Sequence, residues 1–121
     1  MAAQPRRILV GFDGSDSSRR ALEAAADLVG YGSTLAVVYV RPDAAPRDDI
    51  VELAREQLVR RHVVARYLEA DGNPAAEIVD AARAFDADLV VVGRRSALRR
   101  LVGSVSATVV RRAPCDVLVV S

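Results

Sequence analysis

The chain has 121 residues, about the length of one domain, and its 51% hydrophobic and 27% charged content is typical of a globular protein rather than a disordered one. A formal net charge of +1 gives the whole chain no field that favours nucleic acid or a membrane surface, and one cysteine with one histidine excludes an internal disulfide and a zinc site built from these residues. All 17 basic residues are arginine, which excludes chemistry that needs a lysine amine, such as a Schiff base or Walker-type phosphate binding.

The hydropathy of the chain indicates where the protein resides. No apolar stretch approaches the roughly 20 residues that a membrane-spanning helix needs. The N-terminal segment MAAQPRR lacks the apolar core of a signal peptide. We therefore expect a cytoplasmic protein, with residues 1–121 forming a single domain.

Five runs of strand length recur along the chain. In chain order they are residues 8–12, 35–40, 62–68, 89–92 and 117–120. Four of them are rich in valine, and three are apolar without alternation, which is typical of strands covered on both faces of a parallel sheet. The run 62–68 is more mixed and suits the edge of a sheet.

Helical patterns separate these runs. They cover residues 17–29, 49–60, 74–85 and 97–112, the last interrupted at Gly103 and Ser104. Asn73 as N-cap, followed by Pro74 at the first helical position, is a helix start signal. The strict alternation of strands and helices predicts an α/β protein with an open, five-stranded parallel sheet and helices on both faces. Right-handed crossovers make this arrangement doubly wound, Rossmann-like or flavodoxin-like.

Sheets of this kind bind ligands at the carboxyl ends of their strands, where the strand order reverses. The first motif there is Gly-Phe-Asp-Gly-Ser at residues 11–15, which contains Phe12 and Asp13. The Asp13 carboxylate could accept a hydrogen bond from an exocyclic amine such as that of adenine. Alternatively, Asp13 and Ser15 only cap the first helix while Gly14 makes the turn.

Two further motifs follow the fourth strand. Gly93, Arg94, Arg95 and Ser96 form a glycine–arginine turn that could hold an anion, and Gly103, Ser104 and Val105 open a helical turn whose amino end could do the same. Each motif could equally be a plain turn or helix cap. Residues 93–113 contain six arginines and no acid, which suits a polyphosphate or a nucleic-acid backbone, although the scattered aromatic residues offer no stacking platform.

Catalytic constellations are not evident. His62 stands alone, and Cys115 has no histidine partner, so the sequence indicates packing or surface roles for both. The residues therefore favour a binding module over an enzyme, with slow ATP hydrolysis as the most that they would support.

Four segments resemble the universal stress protein family. They are ILVGFDGSDSS at residues 8–18, GNPAAEI at 72–78, DADLVVVGRRS at 86–96 and VGSVSATVVRRAPCDVLVV at 102–120. The resemblance covers nearly the whole chain. It implies strand order 3-2-1-4-5 and a homodimer formed through the last strands, here from Val117 to Val120. The family includes members that bind ATP and members that do not.

In the family's ATP-binding pattern, Asp13 matches the acid that contacts adenine, Val40 the apolar wall beside the base and Gly93 the first glycine. Gly103 and Ser104 match the final Gly-Ser of the phosphate site. Ser96 stands where the second glycine belongs, and six residues, not nine, separate it from Gly103. The adenine half of the site thus resembles that of an ATP-binding member, while the phosphate half departs from the pattern. The neighbouring arginines could compensate for this departure with their side-chain charge.

These features together predict a small stress-response protein that acts as a dimeric binding or regulatory module, with weak or altered binding of ATP or AMP. Two alternatives stay open. The first is a ligand-free protein-interaction module, favoured by the broken glycine pattern. The second is a nucleic-acid binder that uses the arginine-rich face of residues 94–112.

Overall fold

The computed structural model describes residues 7–41, 47–94 and 104–121. Nine elements alternate along them, and they are listed here in chain order: β1 Arg7–Phe12, α1 Asp16–Leu28, β2 Thr34–Arg41, α2 Arg47–Arg60, β3 Ala65–Asp71, α3 Pro74–Phe85, β4 Leu89–Gly93, α4 Ser104–Arg112 and β5 Asp116–Val120. The strands form one parallel sheet in the order β3-β2-β1-β4-β5. The predicted α/β class and strand order are confirmed.

The sheet is covered on both faces. Helices α1 and α2 pack on one face over Val10, Val37 and Val91, and α3 and α4 pack on the other over Leu9 and Val38. Successive residues of one strand point to opposite faces, so the central strands are apolar without interruption. This is the physical reason that their valine-rich runs were recognisable in the sequence.

The third strand, predicted over residues 62–68, begins later than predicted. His62 has a φ of 57° and ends α2 in the left-handed conformation, with its N–H donating to the Val59 carbonyl and the Val63 N–H donating to the Leu58 carbonyl. This is the Schellman pattern of helix termination, which turns the chain before a strand can start. β3 therefore covers Ala65–Asp71 instead of residues 62–68.

The strand order places a reversal between β1 and β4. From β1 the chain crosses to β2 and β3 on one side, and α3 then returns it to β4 and β5 on the other side. Loops diverge in opposite directions from the carboxyl ends of β1 and β4, which opens a crevice at that edge. We call this the switch-point cleft. Asp13, Gly93 and Arg94 directly follow or end these two strands.

Candidate functional site

The turn after β1 is held by its own side chains. The Ser15 N–H donates to Asp13 Oδ1 at 2.9 Å, and Gly14 supplies the positive φ of 85° that the turn requires. Ser15 is the N-cap of α1 and accepts a hydrogen bond from the Ser18 N–H through its hydroxyl. A helix cap at Ser15 and a fixed carboxylate at Asp13 are therefore both present.

Ser18 supports this turn from inside α1. Its hydroxyl accepts from the Asp13 N–H at 3.3 Å and donates to the Ser15 carbonyl at 3.0 Å. Sequence reasoning did not single out this residue. The available signal was a hydroxyl residue five positions after an aspartate at a helix start, which is a weak pattern on its own.

Gly93 brings the end of β4 against the first turn of α1. A Cβ built on Gly93 would lie 2.6 Å from both the carbonyl carbon and the Oγ of Ser17, well inside van der Waals contact. Only glycine permits this approach of strand to helix. Ser17 was also not predicted as a site residue, because the contact joins positions that are far apart in the sequence.

Val40 and Phe12 lie on opposite faces of the sheet. Val40, near the end of β2, is 7% exposed and belongs to the α3/α4 side of the core, whereas the Phe12 ring is 3% exposed and packs on the α1/α2 side. In the register of the sheet, Phe12 pairs with Tyr39, so Val40 follows directly at the level of the turn after β1. Asp13, Val40 and Gly93 thus all lie at the carboxyl edge of the three central strands.

The anion-binding half of the predicted site is described in part. Arg94 has an exposed side chain, and its N–H donates to the Val120 carbonyl at 2.7 Å. Ser104 begins α4, and Val105 packs against the α3/α4 core. The predicted site residues Arg95, Ser96 and Gly103 lie outside the described residues. Because α4 follows β4, its amino end faces the same edge as the switch-point cleft, where its dipole favours an anion.

The arginines grouped in the sequence do not all share one edge. Arg111 and Arg112 form the last turn of α4, about 12 Å along the helix axis from Ser104 at 1.5 Å per residue. β5 then starts at Asp116 beside Leu89, the first residue of β4, so these two arginines lie toward the amino edge of the sheet. The separation removes them from the switch-point cleft and weakens the interpretation of residues 94–112 as one continuous basic face.

Cys115 and His62 are the two lone reactive residues that the sequence singled out. Burial raises the pKa of the half-buried Cys115 thiol, and the nearby Asp116 and Asp88 carboxylates raise it further, so little thiolate forms at neutral pH. His62 is exposed in the turn after α2. Within residues 7–41, 47–94 and 104–121, no group of acidic, histidine or cysteine side chains could hold a metal ion. No described helix has the length and apolarity required to span a bilayer.

Comparisons with family models, curated proteins and solved structures all match the same family. The model of the universal stress protein family matches residues 5–57 and 44–121. The chain is 33% identical to universal stress protein YxiE of Bacillus subtilis (strain 168), over 94% of this chain and 97% of the relative. Among solved structures, a universal stress protein in complex with cAMP is similar with a TM-score of 0.83 and 31% identity, over 98% of both chains. The universal stress protein of Archaeoglobus fulgidus in complex with dAMP has a TM-score of 0.66 and 28% identity, over 98% of this chain and 100% of that one.

Proposed function

This chain belongs to the universal stress protein family, and from that premise we propose that it binds an adenine nucleotide, ATP or AMP, in the switch-point cleft. We further propose that it acts as a dimeric regulatory module in the response to stress. The observation that carries the nucleotide proposal is the convergence of Asp13, Val40 and Gly93 at one edge of the sheet. Relatives of similar fold were solved with cAMP and with dAMP, which are both adenine nucleotides.

The adenine half of the proposed site rests on Asp13 and Val40. The Asp13 carboxylate is fixed by the Ser15 N–H and would accept a hydrogen bond from the 6-amino group of the base. Val40 would supply an apolar surface beside the ring. The Phe12 ring packs on the opposite face of the sheet from Val40. We therefore propose that it supports the turn at Asp13 and does not contact the base.

The phosphate half of the proposed site combines the amino end of α4 with arginine side chains. Ser104 and Val105 open α4 toward the cleft, and Arg94 is exposed beside it. We propose that Gly103 approaches the phosphates through its backbone and that Arg95 and Ser96 line the same loop. Since this loop is three residues shorter than the family's pattern, arginine side chains would replace part of the backbone cradle.

Calorimetric titration of nucleotide-stripped protein with ATP, AMP, cAMP and adenosine tests this proposal. We expect saturable 1:1 binding of the phosphorylated ligands and weaker binding of adenosine, because adenosine lacks the group that α4 and the arginines would hold. At a ligand concentration of a hundred times Kd, binding should stabilise the fold by about 2.7 kcal/mol, which is measurable as a rise in melting temperature.

Two results would contradict the nucleotide proposal. The absence of heat and of any thermal shift with every ligand would assign the chain to the protein-interaction class. Tight binding of an unrelated single-stranded oligonucleotide with a steep salt dependence would favour the nucleic-acid class instead.

The proposed dimer forms through β5. This strand lies at the edge of the sheet and exposes apolar side chains on both faces, with Leu118 39% and Val119 38% exposed. Arg94 N–H and Arg20 Nε hold its end by donating to the Val120 and Ser121 carbonyls. An apolar edge strand whose end is fixed by hydrogen bonds is a template for pairing with a second copy.

We expect the protein to sediment at twice its monomer mass at high micromolar concentration. Replacing Leu118 and Val119 together by lysine should shift the mass to that of the monomer, because two charges on the edge strand oppose pairing. Val59→Lys is the matched control, since Val59 is an equally apolar, exposed residue on α2. A wild-type monomer, or a dimer that survives the double substitution, would refute pairing through β5.

A further inference from the structure

A cavity of about 200 Å³ lies between α2 and the strands beneath it, on the α1/α2 face of the sheet. One water needs only about 10–15 Å³ of such space, so this volume is large enough for a small organic molecule. We call it the α2 cavity. Its walls include Phe12 from β1, Tyr39 from β2, Tyr67 from β3, and Ala54 and Arg55 from α2. Val40, proposed for the adenine half of the switch-point cleft, faces the other side of the sheet.

Three of the nine residues that line the α2 cavity are aromatic, and four are aliphatic. Phe12 and Tyr39 are almost fully buried, and Tyr67 is half-buried. Burial raises the pKa of the Tyr67 phenol, and the nearby Glu52 raises it further while Arg55 lowers it, so the ring is neutral at physiological pH. Phe12, Tyr39 and Tyr67 come from three neighbouring strands and lie on the same face of the sheet, so together they offer one aromatic wall against which a flat, apolar guest can stack or pack edge-to-face.

One cation is placed at the cavity. The Arg55 guanidinium carbon lies 4.5 Å above the centroid of the Tyr67 ring, and Arg55 Nε donates to Glu52 at 3.2 Å. These two contacts orient the guanidinium. Its terminal amino groups make no hydrogen bond to any residue in the part of the chain that the structure describes. A guanidinium fork of this kind is suited to bidentate recognition of a carboxylate.

We propose that the α2 cavity binds a small planar aromatic carboxylate, with its ring against Phe12, Tyr39 and Tyr67 and its carboxylate on the terminal amino groups of Arg55. Glu69 also lines the cavity and is exposed, as Arg55 is, so water and salt screen both charges and the affinity for a carboxylate should fall with added salt. This site is separate from the switch-point cleft and does not depend on nucleotide binding there.

Titration with benzoate tests the proposal, with two matched probes beside it. Benzamide has the same shape without the charge, and cyclohexanecarboxylate has the charge without the flat ring. We expect saturable 1:1 binding of benzoate and roughly tenfold to hundredfold weaker binding of benzamide, the range for a hydrogen bond to a charged group. The chain has no tryptophan, so tyrosine emission gives a second readout from Tyr39 and Tyr67. Equal affinity for benzoate and benzamide, or no saturation with any probe, would overturn the proposal.

Three single substitutions in α2 test whether benzoate binds in the α2 cavity. Arg55→Gln should weaken benzoate binding by the same roughly tenfold to hundredfold factor, while Arg60→Gln on the exposed side of α2 should leave it within about twofold. Ala54→Leu should fill the cavity, abolish benzoate binding and keep the melting temperature at or above that of the wild type, because a real void accepts the added methyl groups. A large loss of stability in Ala54→Leu would show that the space is not present in solution.

Competition with AMP completes the test. Because the α2 cavity lies beneath α2 and the switch-point cleft lies at the carboxyl edge of β1 and β4, a saturating concentration of AMP should leave the benzoate affinity unchanged. Displacement of benzoate by AMP would overturn the assignment of a separate site. Failure of AMP to bind at all would contradict the proposed function and leave the benzoate result standing, so the two failures are distinguishable.

Discussion

Replacing Gly93 with alanine is expected to lower the melting temperature by roughly 4–12 °C, which corresponds to about 1–3 kcal/mol of overpacking in a domain of this size. The new Cβ would lie 2.6 Å from the Ser17 carbonyl carbon and 2.8 Å from its carbonyl oxygen. Backbone atoms cannot rotate away as a side chain can. The end of β4 and the first turn of α1 must therefore separate.

The same substitution should weaken adenine-nucleotide binding. The first turn of α1 contains Ser18, whose hydroxyl holds both the Asp13 N–H and the Ser15 carbonyl. A shift of this turn moves the carboxylate that we propose for adenine recognition. We expect a loss of nucleotide affinity in protein that is still folded at the temperature of the titration.

Gly11→Ala is the matched control for this prediction. Gly11 is also a strand glycine of the central sheet, and a Cβ there would lie 2.9 Å from Ile78 Cδ1, the far end of a flexible side chain. Ile78 can move by changing rotamer, so the loss of stability should be smaller than for Gly93→Ala. Thermal unfolding followed by circular dichroism compares the two. An equal or larger effect at Gly11 would contradict the account of the Gly93 contact.

The regular elements could be predicted because their determinants are local. Asn73 and Pro74 mark the start of α3, and the structure begins that helix at Pro74 with Asn73 as its N-cap. The buried strands were visible as uninterrupted valine runs. The start of β3 was missed because His62 adopts a left-handed conformation, which only a few per cent of non-glycine residues adopt and which a histidine, although enriched there, predicts only weakly.

The candidate site was predictable only where its residues lie next to a strand end. Asp13 and Gly93 could be placed from the ends of the predicted strands, whereas Val40 was predicted only through the resemblance to the family's ATP-binding pattern. The contact of Gly93 with Ser17, the burial of the Phe12 ring beneath α2 and the separation of Arg111 from Arg94 could not. The first two depend on how elements that are distant in the sequence pack against each other. The third depends on the length of α4, which separates in space two arginines that belong to one arginine-rich stretch of the sequence.

The second large effect is expected at Asp13. Asp13→Asn should weaken AMP binding by roughly tenfold to hundredfold, because the carboxylate is the proposed charged acceptor of the adenine 6-amino group. The fold should keep its melting temperature within a few degrees, since asparagine can also accept the hydrogen bond from the Ser15 N–H and is favourable in this kind of turn. Asp16→Asn, in the exposed first turn of α1, is the control for a general loss of negative charge.

Binding of inosine monophosphate tests whether Asp13 contacts the base directly. Its ring carries a carbonyl where AMP carries the 6-amino group, so it should bind the wild-type protein weakly, with two acceptors facing each other. In Asp13→Asn the side-chain amide can donate to that carbonyl, so the variant should lose affinity for AMP and gain affinity for inosine monophosphate. A reversal of preference, measured by calorimetry for both ligands on both proteins, is the result that base recognition requires. A parallel loss for both ligands would instead assign Asp13 to holding the turn after β1, with the base recognised elsewhere.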